Sequence, residues 1–129
     1  MGLESTPKLL RLNEAWMLYS KAVSVAAERL RKDALGRKDR RIEPEAREAL
    51  EKALVSMLDD DSVDVRGLGW VAMLESGLAK RPDIRRRLDA MAQHDPDEQL
   101  RDNLRRNLAH YDEVEKLAAT YKQLYEGSN

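Results

Sequence analysis

The residue types best suited to chemistry in this chain are a carboxylate run, two histidines and two basic stretches. Asp59-Asp60-Asp61, with Asp64 close behind, could offer oxygen ligands to a hard cation. The run lacks the alternating loop pattern and the distal Glu of an EF-hand. Asp and Ser ahead of an apolar segment have a simpler use as helix caps, and Asp61 or Ser62 is expected to serve so. His94 and His110 stand sixteen residues apart. His94 falls in the turn QHDP, where an imidazole near a helix C-terminus interacts favourably with the dipole. No HExxH, Gly-rich phosphate loop or GxSxG is present. The expectation is a non-enzymatic protein with no catalytic residue, no metal site and no cofactor.

The basic stretches ask a different question. Arg29–Arg41 carries a net charge of +5, Glu43–Asp64 one of −6 and Lys80–Arg87 one of +4, within a chain whose net charge is −1. Blocks of alternating sign suit helices packed side by side, or a partner that reads a charged stripe. If the two basic connections fall at one edge of a helix stack, they form a rim of Arg37, Lys38, Arg40, Arg41, Lys80, Arg81, Arg85 and Arg86. Such a rim would contact nucleic-acid phosphates in a salt-dependent way. No exposed aromatic is expected nearby for base stacking.

The elements that must position these residues are helices. The chain has 129 residues, 36% of them charged, 42% hydrophobic, with no Phe and few Gly or Pro. That composition fits one all-helical domain over 1–129. Cysteine is absent and no apolar run is long enough for a membrane span. With no secretory leader in MGLESTPKLLRL, a cytoplasmic protein is expected.

Residues 1–6 are expected to fray. Thr6 and Pro7 open a helix whose apolar residues Leu9, Leu12, Trp16, Tyr19, Val23, Ala26 and Leu30 share one face, running to about Ala34. That face also suits a coiled-coil seam, and so a homodimer through helix 1. Gly36 and a basic loop complete an N-terminal capping unit over 7–42. Pro44 starts a second helix, with Ala46, Ala49, Leu50, Ala53, Leu54, Met57 and Leu58 inward. The third helix carries Val65, Leu68, Trp70, Val71, Ala72 and Leu74, and ends at Gly77. Its Gly67 and Gly69 suggest close approach by helix 1 or helix 5. A fourth helix starts at Pro82, with Ile84, Leu88, Met91 and Ala92 inward. Asp95 is expected to cap the fifth, with Pro96 at its first position, Glu98 completing a capping box and Leu100, Leu104 and Leu108 as its stripe. A break near His110–Asp112 would leave a sixth helix over 112–126, apolar through Val114, Leu117, Ala118, Tyr121 and Leu124. Residues 127–129 form a tail.

Two segments recur. LDDDSVDVR and HDPDEQLR align at an offset of 35, which places Asp60 on Asp95, Val65 on Leu100 and Arg66 on Arg101. This pattern resembles the turn and second-helix start of HEAT-like repeats in the armadillo/HEAT superfamily. It covers about two repeats within 43–111, although Leu104 and Asn107 replace the usual small residues in the second copy. The resemblance implies antiparallel helix pairs stacked as a short HEAT-like α-solenoid or α-α superhelix of five to six helices. It also implies that Arg66 and Arg101 bond the turn residues Asp60, Asp61 and Asp95 as a structural repeat junction. Trp70 near Asp64 resembles the base pocket of HEAT-like DNA glycosylases, but this chain is about half their size.

The resulting expectation is a protein–protein interaction module, an adaptor or scaffold that serves as a small subunit of a larger assembly. Its surfaces would be the outer sides of helices 3 and 5, near Arg87, Arg105 and Arg106, and the acidic helix 2. An accessory nucleic-acid-binding protein is the second reading.

Overall fold

Val23, Ala27 and Leu30 are buried at spacings of four and three, the signature of a helix with one covered face. They lie on α1, residues 20–34, in a computed structural model that describes residues 20–36 and 42–126. Gly36, at φ 74, closes α1 in the left-handed region open to glycine. The Thr6-Pro7 start, Leu9, Leu12, Trp16 and Tyr19 lie outside the described residues, as do Arg37, Lys38, Arg40, Arg41 and the tail.

Asp33 joins α1 to the next helix. Its carboxylate accepts the Ile42 backbone N–H at 3.0 Å and the Arg47 guanidinium at 3.2 Å. The second helix, α2, spans Pro44–Ser56 with Pro at its start, where a missing N–H leaves no bond unmade. A single 3-10 turn, Met57–Asp59, follows. Leu54, Met57 and Leu58 are buried and Leu50 half-buried, whereas Ala46, Ala49 and Ala53 are exposed. The inward face of α2 is therefore narrower than its alanines suggest. Alanine fits a helix on any side, so its spacing does not mark a core.

Helix α3, Val63–Ser76, is capped by Ser62, whose Oγ accepts the Val65 N–H at 3.5 Å. Gly77, at φ 84, ends it. A 3-10 turn, Leu78–Lys80, leads out, held by the buried Ser76 hydroxyl, which accepts the Leu78 N–H at 3.2 Å. Trp70, Ala72 and Met73 are buried, and Met73 is the one fully enclosed. The sequence reading passed over Met73.

Helix α4, Pro82–His94, buries Ile84, Leu88 and Ala92. Helix α5, Glu98–Glu126, buries Leu100, Leu104 and Leu108. Arg85 near the start of α4 bonds Asp112 far along α5, and Ala92 near its end accepts from Arg105, so the two helices run antiparallel. The expected break at His110–Asp112 does not occur, and 112–126 continues α5. No Gly or Pro lies between Glu98 and Glu126, and the Asp112 carboxylate is engaged by Arg85 instead of capping a new start.

Among the described residues the chain is all helical, with five helices and no strand. Its contacts group into two compact units, Met1–Arg81 and Pro82–Asn129. The first holds α1–α3 and the second the α4–α5 pair.

Candidate interaction surface

The two Asp-containing turns ahead of α3 and α5 share one hydrogen-bond design. In the first, Asp60 Oδ1 accepts the Ser62 N–H at 2.9 Å, Ser62 caps α3, and Arg66 donates to the Asp60 and Asp61 carbonyls at 3.0 Å each. In the second, Asp95 Oδ1 accepts the Asp97 N–H at 2.9 Å and Asp97 accepts the Leu100 N–H at 2.8 Å. Arg101 donates to the Asp95 carbonyl. The Asx turn, the cap and the first arginine bond recur 35 residues on, the Arg66 bond to the Asp61 carbonyl having no counterpart, and Arg66 and Arg101 each tie a helix back to its own entry.

The second copy corrects one expectation. Asp97, not Asp95, caps α5, so Pro96 precedes the cap and Glu98 opens the helix. Asp95 acts two residues earlier, as an Asx-type turn residue, and is buried. The Asp59–Asp61 run and Asp64 sit on the exposed turn and first turn of α3. Among the described residues no three His, Cys, Asp or Glu side chains converge as a metal site requires.

The described members of the basic rim divide between the two units. Lys80 and Arg81 belong to the first and Arg85 and Arg86 to the second. Arg81 pairs with Glu51 at 3.4 Å. Arg85 forks onto Asp112 at 2.7 and 2.9 Å and reaches Asp89 at 3.1 Å. The Asp112 bond holds the Arg85 guanidinium above its ordinary range, against the pull of partial burial. The reciprocal effect lowers Asp112 below the usual carboxylate value. Arg86 is exposed, and Arg106 on α5 donates to Asn103 at 2.6 Å. Arg105 reaches Asp102 and the Ala92 carbonyl, capping the end of α4.

The surface that sequence reasoning missed is the outer stretch of α5. At 1.5 Å per residue, α4 is about 20 Å long and α5 about 43 Å. Helix α4 therefore covers α5 only as far as Tyr111. That ring is half-buried, and its hydroxyl is enclosed with no hydrogen-bond partner among the described residues. Its pKa is raised, first by burial and then by Glu115. Beyond it every described residue is exposed: Val114 by 47%, Leu117 by 67%, Tyr121 by 61%, Leu124 by 69% and Tyr125 by 63%. In the sequence Tyr111, Val114, Leu117, Ala118, Tyr121 and Leu124 continue the apolar pattern, which does not tell a buried face from an exposed one.

The direction of this stripe explains its exposure. At 100° per residue, Leu100, Leu104 and Leu108 centre on one side of α5. Val114, Leu117, Ala118, Tyr121, Leu124 and Tyr125 centre roughly 90° away from them. The outer stripe is thus a second face and not a continuation of the one that meets α4. The Tyr121 and Tyr125 rings pack at 4.6 Å along it, and their hydroxyl contact raises the Tyr121 pKa.

No protein-family model, curated protein or solved structure matches this chain. Among the described residues, no helix is long and apolar enough to cross a membrane.

Proposed function

We propose that this chain is a non-enzymatic protein–protein interaction module, an adaptor or small subunit that holds a helix face out to another polypeptide. The observation that carries this reading is the outer half of α5. Five large apolar side chains there are 47–69% exposed on one contiguous stripe. Isolated exposed apolar residues are ordinary, but a continuous rimmed stripe marks a contact surface. Its geometry suits helix-against-helix recognition, with anchors three and four residues apart.

The architecture within this reading is a short HEAT-like repeat protein of the cytoplasm. Its support is the duplicated junction, with the same turn, cap and arginine bonds 35 residues apart. The nucleic-acid alternative has less support, since Arg81 and Arg85 are matched by Glu51, Asp89 and Asp112.

The test is site-specific photo-crosslinking of the full chain in its native host. A photoreactive residue at Leu117 or Leu124 should give an adduct of discrete mass. The same group at Gln123, on the opposite side of the helix, should give none. Equal labelling from both sides, or no adduct from the stripe, overturns the proposal.

A further inference from the structure

We infer that the outer face of α5 is covered by a second copy of this chain, whose α5 runs antiparallel to the first. The inference rests on the interaction-module reading and names the partner of that surface. It follows from what borders the stripe on each side.

One border of the stripe is charged and the other apolar. In a heptad register with Tyr111, Ala118 and Tyr125 at one core position and Val114 and Tyr121 at the other, one flank carries Glu115 and Lys122. The opposite flank carries Leu117 and Leu124. The two orientations treat these flanks differently. Parallel helices set the flank of one copy against the opposite flank of its partner, so Leu117 would meet Lys122. Antiparallel helices set each flank against itself. Glu115 then faces Lys122 of the second copy, Lys122 faces its Glu115, and Leu117 faces Leu124, each contact occurring twice about a two-fold axis.

The centre of such a pair falls beside Ala118. It is the one small residue on the stripe, and it lets two helix backbones approach. Val114 of one copy reaches Leu124 of the other, and Leu117 reaches Tyr121. The matched length, 111–126, extends about 24 Å. Lys122 also lies 4.0 Å from Glu126 of its own helix, so each flank keeps both signs of charge. Glu115 and Lys122 are two turns apart on one helix and cannot pair with each other there.

The experiment is sedimentation velocity on the full chain over a wide concentration range. The wild type should move from monomer to dimer as concentration rises. Leu117→Glu and Tyr121→Glu should remain monomeric while keeping the wild-type helical circular dichroism, since both sites are exposed. Glu115→Lys should weaken association at least tenfold, and adding Lys122→Glu to it should restore association. The chain has no cysteine, so orientation can be read directly. Leu117→Cys and Leu124→Cys variants should form a disulfide-linked dimer when mixed and little when oxidised separately.

A chain that is monomeric at every concentration overturns the inference. So does a dimer indifferent to Leu117→Glu, which would point to another surface such as the face of residues 9–30. Failure here stays distinguishable from failure of the broader reading. A photo-adduct from Leu117 at the mass of a different protein sinks the self-pairing but keeps the interaction module.

Discussion

Asp112 shows how one side chain decides the course of a helix. Its bidentate bond to Arg85 lowers its pKa, so the linkage has a definite sign. A carboxylate whose folded pKa lies below its unfolded value stabilises the fold above the unfolded pKa. That contribution is lost as pH falls through the folded pKa. Asp112→Asn should therefore destabilise the α4–α5 pair at neutral pH by less than about 1 kcal/mol, the range for an exposed pair. The difference from wild type should vanish in acid. Denaturant titrations at neutral pH and in acid test this, and a constant difference would argue against the linkage. In the sequence Asp112 suits either a helix cap or a continuing helix, because Asp is a good cap and its partner lies 27 residues away. Asp95 was misassigned for a related reason: Asp95 and Asp97 suit the cap equally by type. Only the hydrogen bond from Leu100 separates them. The pairing of Arg66 and Arg101 with turn aspartates was legible through the repeat pattern. That their guanidinium groups meet backbone carbonyls was not, since every residue offers one.

At the scale of elements, the two glycines of α3 have opposite meanings that their sequence context conceals. A Cβ on Gly69 would lie 3.0 Å from Met57 Cβ, 3.1 Å from a Leu58 methyl and 3.2 Å from the Met57 carbonyl carbon. The neighbour is thus the 3-10 turn just before α3, and not helix 1 or helix 5 as the sequence suggested. A Cβ on Gly67 would meet nothing within 4 Å. Gly67→Ala should stabilise by up to about 1 kcal/mol through helix propensity. Gly69→Ala should lose that gain and destabilise by about 1–3 kcal/mol, because Met57 Cβ and backbone have little room to yield. Chemical denaturation of the two variants side by side decides it, and equal effects would contradict the packing at Met57. Helix boundaries at Pro44, Gly77 and Pro82 were readable because Pro and Gly constrain the backbone directly. The continuity of α5 was not, since an apolar stripe that changes face looks in sequence like a broken helix.

For the molecule as a whole, the question is whether the outer half of α5 belongs to the fold or to its contacts. Its own unit supplies an answer. The buried side chains Ile84, Leu88, Ala92, Leu100, Leu104 and Leu108 all precede Tyr111, and the Arg85–Asp112 bond closes the pair at that level. No described residue beyond Asp112 is buried. Deleting residues 114–129 keeps every one of these groups. The shortened chain should therefore unfold with a stability within about 0.5 kcal/mol of the full one, as for changes at a surface. That comparison is made at a concentration where both are monomeric, because self-association adds stability by mass action. At higher concentration the full chain should gain stability and the shortened one should not. A loss of several kcal/mol in the dilute comparison would place the outer helix in the core instead. The expected pattern, stability unchanged and concentration dependence abolished, separates a helix that builds the protein from one that the protein holds out for a partner.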